Sequence, residues 1–170
     1  MSSSVTHVFE SGQCLVTPLH GVCEVVERTE LEILGRVQLY YVLRPLDEPG
    51  LLKLPQNSLE PGVRPLLEAS DMRALLETPR DDAEVPYLRP HQRLDAWLGE
   101  LKQGCPRARR RVLWEMARVR ERERKLTAVE EALWERVHSA FRREIVLVLG
   151  LDEEAALQLV NELSGMAVPT

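Results

Sequence analysis

The chain predicts an α+β protein, with a small antiparallel β-barrel over residues 1–66 and a compact α-helical bundle over 67–170. Two observations carry this. Up to Leu66, short apolar runs are punctuated by glycine and proline turns; beyond it, apolar positions recur at steps of three and four. A third sets the scale: 170 residues, 44% of them hydrophobic, suffice for one or two modest cores.

In the first part, a turn at Gly12 leads into an apolar run from Cys14 to Val16, and a Pro18/Gly21 turn into a second run from Val22 to Val26. A Gly35 turn precedes Val37 to Leu43, and a short fourth run spans Leu51 to Leu54. In the second part, Ser70 or Asp71 is placed to cap a short helix carrying Met72, Leu75 and Leu76, ending near Thr78-Pro79. Pro79 to Pro90 reads as a loop. His91 to Lys102 is helical, with Leu94, Trp97, Leu98 and Leu101 as its apolar stripe and Gly104 as its stop. Pro106 opens a longer helix, since a first-turn amide has no partner to lose; its stripe is Val112, Leu113, Met116 and Val119, with Arg107, Arg111, Arg118 and Arg122 on another face. Thr127 and Glu130 have capping-box spacing and start a helix to Leu149 with Val129, Leu133, Val137 and Phe141 inward, which Gly150 ends. Asp152 caps the last helix, with Ala155, Leu159 and Leu163 inward. No Gly/Ser linker separates the halves, which favours a protein that touches two surfaces at once.

Composition narrows the function. The longest apolar run, Ile145 to Leu149, is far short of the ~20 residues a membrane-spanning helix needs. The N-terminus lacks a basic start and an apolar core, so the expected location is the cytoplasm. Cys14, Cys23 and Cys105 fit no zinc pattern, and a Cys14–Cys23 disulfide across a hairpin is disfavoured in a reducing compartment. His7, His20, His91 and His138 are scattered, with no recognisable nucleophile motif beside any of them. No phosphate loop or metal motif appears, so neither a catalytic group nor a cofactor is expected. A ligand-binding or enzymatic alternative requires a deep polar pocket between the halves. His20 is expected to hold its turn, and His138 to lie at the surface or boundary.

Charge is uneven. The formal net charge is −5, yet nine basic residues against three acidic ones lie between Arg107 and Lys125. Such a patch attracts phosphate, because screening confines each charge to roughly 8–10 Å. The same residues read equally as a solvated helix face with internal pairs.

The order Gly12, Pro18-Leu19-His20-Gly21, Ile33-Leu34-Gly35, Tyr40-Tyr41-Val42-Leu43, Leu54-Pro55-Gln56-Asn57 and Gly62-Val63-Arg64, continued by Leu101 to Gly104, Arg120 to Thr127 and Gly150 to Ala156, resembles the CarD/CdnL family. These are bacterial RNA polymerase-binding transcription regulators, whose N-terminal domain is shared with the polymerase-interacting module of the transcription-repair coupling factor. The resemblance implies a Tudor/SH3-like barrel docked on the lobe of the polymerase β subunit through Leu31, Ile33, Leu52 and Lys53. It further implies a cytoplasmic, nucleoid-associated monomer that brings its helical domain to the minor groove at the upstream fork of promoter DNA. Leu31 stands where members often carry arginine, and Cys23 where glycine is usual.

One departure bears on DNA. The family's tryptophan wedge falls on Pro90, neighbouring basic positions fall on Gln92 and Asp95, and a further one after the capping box falls on Glu131; Trp97 reads as core. Pro90, Tyr87 or Leu88 can serve as apolar wedges, with phosphate contacts from Arg89, His91, Arg93, Arg107, Arg110 and Arg111. Two readings follow: a regulator whose helices engage the promoter, and a polymerase-binding protein whose helical domain binds protein or competes with a paralogue.

Overall fold

The computed structural model describes residues 9–56, 62–78 and 85–165; His7 and the Pro79 helix stop lie outside them. Five strands come first: β1 (Cys14–Thr17), β2 (Gly21–Ile33), β3 (Arg36–Pro45), β4 (Leu52–Pro55) and β5 (Arg64–Pro65). They form one sheet in the order β4-β3-β2-β1-β5, with every pairing antiparallel. Among the described residues the sheet is open, because no ladder joins β4 to β5. Two-residue β5 ends in Pro65, which has no amide to extend a ladder.

Leu34 (φ 53°) and Gly35 (φ 75°) connect β2 to β3, and positive φ at both positions matches the twist of a tight hairpin. A slip in register between Val25 and Glu27 lets β2 change which face it presents. Before it, Leu15, Cys23 and Val25 join Tyr41, Leu43 and Phe9 in a small core on one face. Cys14 is opposite Glu24 and Cys23 opposite Leu15, so adjacent strands carry the two thiols on opposite faces and a disulfide is excluded.

Five helices follow: α1 (Ala69–Glu77), α2 (Pro90–Lys102), α3 (Pro106–Glu123), α4 (Ala128–Leu149) and α5 (Glu153–Ser164). The capping box is present, with Thr127 N donating to Glu130 Oε2 (2.8 Å) and Glu130 N to Thr127 Oγ1 (3.3 Å). Asp152 accepts from Ala155 N at 2.7 Å. Gly150 ends α4 in the left-handed conformation. Trp97, Val112, Leu113, Met116, Val119, Leu133, Val137 and Phe141 share the helical core with Met72 and Leu75.

Four details differ from expectation. Helix α1 is entered at Glu68, not Ser70 or Asp71, without a side-chain cap. Val129 is exposed, since the first turn of α4 directs its neighbour Glu130 inward, onto Arg93. In α5 the fully buried stripe is Ala156, Val160 and Ser164, one residue beyond the expected Ala155, Leu159 and Leu163, which sit at its margin. His138 is buried, with Nε2 3.0 Å from Asn161 Oδ1 and its ring against Trp134; burial pushes its pKa down.

The sheet is locked to the helices. Arg64 grips Glu144 through two bonds of 2.8 and 3.0 Å and donates to Gly104 O, while Leu67 N donates to the same carboxylate. Gly62 and Gly104 approach so closely that a Cβ on Gly104 would collide with the Gly62 backbone, and one on Gly62 would collide with Pro18 and Lys102 O. Gly21 abuts Ala140 of α4, and Asp47 pairs with Arg143 at 2.6 Å. Arg109 is buried here with a single 3.3 Å bond to Thr17 O and an unpartnered Nη1; burial pushes its pKa down to about 10. A buried guanidinium so poorly satisfied is destabilising, so Arg109→Met should raise stability by roughly 1–3 kcal/mol in denaturant melts. An unchanged or lower midpoint would place an unmapped partner on Nη1.

Candidate interaction surfaces

Beyond its junction with β1, the β2–β3 hairpin continues as a two-stranded ribbon. Cross-strand neighbours share a face, and the register Ile33↔Arg36, Leu31↔Gln38, Thr29↔Tyr40, Tyr40↔Pro55 and Val42↔Lys53 defines one outer surface. It therefore gathers Leu31, Ile33 and Lys53 with Tyr40 between them. Ile33 is 48% exposed and the tip residue Leu34 is 98% exposed. Leu52 does not belong to it: paired with Leu43, it points to the opposite face and packs on the sheet core. Tyr40 was missed in sequence because its neighbour Tyr41, one residue on, is the buried one. Edge strand β4 and the outer half of β2 leave their backbone groups available among the described residues.

The predicted DNA-facing residues separate into two places and an interior. Tyr87, Arg89, Pro90 and His91 are exposed at the start of α2, with Leu88 half-buried beside them. Arg107 and Arg111 are exposed at the start of α3, where Arg111 pairs with Glu100 at 3.2 Å. Helices α2 and α3 run antiparallel, since the start of α2 bonds the end of α3 through Arg93–Glu123 and its end meets the start of α3 through Glu100–Arg111. The two groups are therefore about 20 Å apart at 1.5 Å rise per residue.

Arg93 faces neither. It is 4% exposed and bonds Glu130 through Nε and Nη2 and Glu123 through Nη1 (2.9 Å), which raises its pKa. Arg110 is likewise engaged, donating to Leu75 O (2.7 Å) and Thr78 O (2.5 Å) at the C-terminal end of α1. Most of the arginine-rich helix serves the same end: Arg118 reaches Gly165 O, and Arg120 pairs with Glu131 over the Trp134 ring. Of the two charge readings, internal pairing describes most of α3.

A smaller basic corner remains where α2 begins and α3 ends. The Tyr87 ring, 75% exposed, carries the Arg122 guanidinium 5.5 Å from its centroid. Arg122 also donates to Val85 O, and exposed Arg124, at φ 67°, and Lys125 continue the corner toward α4. Arg89 and His91 complete it. No local pattern shows that Arg122 meets Tyr87, because 34 intervening positions hide the contact.

A polar cleft of about 280 Å³ lies between the β1–β2 turn, the Asp47-Glu48 loop and α4, lined by His20, Glu48, Arg136, Ser139 and Arg142 among others. His20 N donates to Thr17 Oγ1 (3.1 Å), holding its turn, and His20 Nδ1 lies 3.2 Å from Glu48 Oε2. That is a base with an orienting carboxylate, but among the described residues no hydrogen bond joins Ser139 to His20. The volume falls below the roughly 300–1,000 Å³ of small-molecule sites. Among the described residues no three His, Cys, Asp or Glu side chains are grouped to hold a metal, and no helix is long and apolar enough to cross a membrane.

No protein-family model matches the chain. No curated protein matches it either.

Proposed function

We propose that the protein is a CarD/CdnL-like transcription regulator that docks its Tudor-like sheet domain on the lobe of the bacterial RNA polymerase β subunit. The observation that carries this reading is the outer ribbon face, where Leu31, Ile33, Tyr40 and Lys53 converge beside open strand edges. Apolar side chains flanked by Lys53 and Arg36 suit a partner surface with an apolar centre and an acidic rim. Leu52 supports the sheet from behind and is not a contact.

Binding of the isolated β lobe tests the reading. Ile33→Glu and Lys53→Glu should each weaken the complex about tenfold or more, whereas Leu52→Ala should act through sheet stability. Absence of a complex with the unaltered protein would remove the hypothesis.

At the upstream fork, the basic corner supports promoter engagement better than the other predicted residues. Tyr87 offers an apolar face at a base step, and Arg89, Arg122, Arg124 and Lys125 offer phosphate contacts. Binding the melted state more tightly than the closed one would prolong open complexes, since only differential affinity shifts that balance. Tyr87→Ala should shorten open-complex lifetime. Arg124→Ala with Lys125→Ala should reduce the steepness of log K against log salt by about 0.9 per lost phosphate contact, while Arg107→Ala leaves it unchanged.

A second reading, in which the helical domain contacts protein and not DNA, is favoured by one observation. Arg93 and Arg110 are committed internally, and Arg107 and Arg111 stand apart from Tyr87. Silent corner variants alongside active ribbon variants would select it.

A further inference from the structure

The outer edge of β2 carries a pattern that the docking face does not use. From Glu27 to Ile33 the strand reads Glu-Arg-Thr-Glu-Leu-Glu-Ile, and β1 with the residues just before it accompanies β2 only as far as Val26, through Val25 N to Gln13 O, Gly12 N to Val25 O and Ser11 Oγ to Val26 O. Among the described residues no ion pair involves Glu27, Arg28, Glu30 or Glu32, although arginines elsewhere in the chain are widely paired. Arg28 lies opposite Tyr41, Glu30 opposite Leu39 and Glu32 opposite Val37, so the three charges share the face turned away from Leu31 and Ile33.

Charged edge strands ordinarily discourage pairing with another strand. Here, for axes from Glu27 to Glu32, they discourage it in every register but one. Two copies of β2 related by a twofold axis normal to the sheet pair antiparallel, and side chains meet on matching faces only when the axis passes through a residue. An axis at Glu27, Arg28, Glu30 or Glu32 sets that residue against its own copy, and an axis at Leu31 sets Glu30 against Glu32. With the axis at Thr29, threonine meets threonine, Arg28 meets Glu30 twice, and Glu27 meets Leu31. No like charges face each other. The four central charges then alternate in sign around a quartet, and opposite-charge and threonine pairs are the favourable kinds across a ladder.

We infer that the open edge of β2 pairs with β2 of a second copy of this chain about Thr29, forming a weak isologous dimer held by backbone bonds and reciprocal Arg28–Glu30 pairs. One short ladder buries less than the roughly 1,000 Å² of a stable interface, so association is expected only at high concentration, in departure from the monomer that the family resemblance implies. The inference rests on strand register and charge and is independent of the polymerase reading. Were both to hold, the dimer would crowd the ribbon that docks, giving a concentration-dependent brake.

Sedimentation equilibrium of the full chain between about 10 μM and about 1 mM tests it. The weight-average mass should rise above 19.4 kDa across that range. Arg28→Glu should abolish the rise, and Arg28→Glu with Glu30→Arg should restore it, because the swapped quartet alternates as before. Both positions are exposed, and circular dichroism checks that the variants remain folded. A mass that stays monomeric at the highest concentration, or association indifferent to Arg28→Glu, or failure of the double variant to recover it, overturns the inference.

Discussion

Arg93→Ala lowers the unfolding free energy by about 3–5 kcal/mol, the usual consequence of removing one partner from a buried ion pair. Two carboxylates depend on this guanidinium: Glu130, itself 1% exposed, and Glu123, each of which accepts two of its hydrogen bonds. Without Arg93, Glu130 keeps only its bonds to Thr127 at the start of α4, and the ends of α2 and α3 lose their shared anchor. In thermal melts a loss of that size shifts the midpoint by roughly 10 °C for a chain of this length. Arg93→Leu combined with Glu130→Leu should recover much of it, since an apolar pair of similar volume leaves only Glu123 without its partner, and that carboxylate is partly exposed to water.

The pH dependence gives a second check. Burial pushes the Glu130 carboxyl up, but Arg93 and the Thr127 amide and hydroxyl outweigh that and hold it below its ordinary value. A carboxyl lowered on folding contributes stability that is complete above the unfolded value of about 4.3 and is lost as pH falls through the folded one. In Arg93→Ala the largest lowering influence is gone, so the variant can protonate Glu130 at higher pH and relieve its isolated charge. The gap between the two proteins should therefore narrow below about pH 5. A gap of constant size from pH 4 to 8 would place the loss in packing, not in charge.

Arg93 also marks where sequence ceases to be informative. Strand runs, turns, helix order, the Thr127–Glu130 box and the α3 stripe were legible because each depends on residues within a few positions of one another. The register of β2 on β3 then separates Leu31, Ile33 and Lys53 from Leu52, which alternation foretells in kind but not in phase, since the irregularity at Val25/Glu27 resets it. Arginine carries the larger ambiguity. A guanidinium at the start of a helix has the same composition whether it meets phosphate or a carboxylate 37 residues away, and Arg93 meets the latter. Arg109 and Arg110 are absorbed likewise, by Thr17 O and by the end of α1. What remains exposed is a smaller corner assembled by the contact of Arg122 with Tyr87, which no local pattern encodes.

Glu144→Ala should be of comparable size and different in kind. This carboxylate is fully buried where sheet and helices meet, and it accepts from Arg64 twice and from Leu67 N. Its removal leaves Arg64 mostly buried and Arg109 wholly so, two guanidinia at one joint with no carboxylate between them, at about 3–5 kcal/mol. The charge of Glu144 partly counters the burial that holds Arg109 down to about 10, so without it Arg109 is driven lower still. The two cores are separate clusters, one around Tyr41 and one around Phe141, and only the joint makes them melt together. Calorimetry should therefore show one transition in the parent and two in the variant, with amides of β1 and β2 exchanging ahead of those in α3 and α4. Arg109→Met added to Glu144→Ala should restore part of the coupling, because it removes the worse-satisfied of the two orphaned charges. If Glu144→Ala instead keeps one sharp transition at the parent temperature, apolar contact of the β1–β2 turn with Ala140 carries the joint. The angle between ribbon and basic corner would then owe nothing to the ion pair.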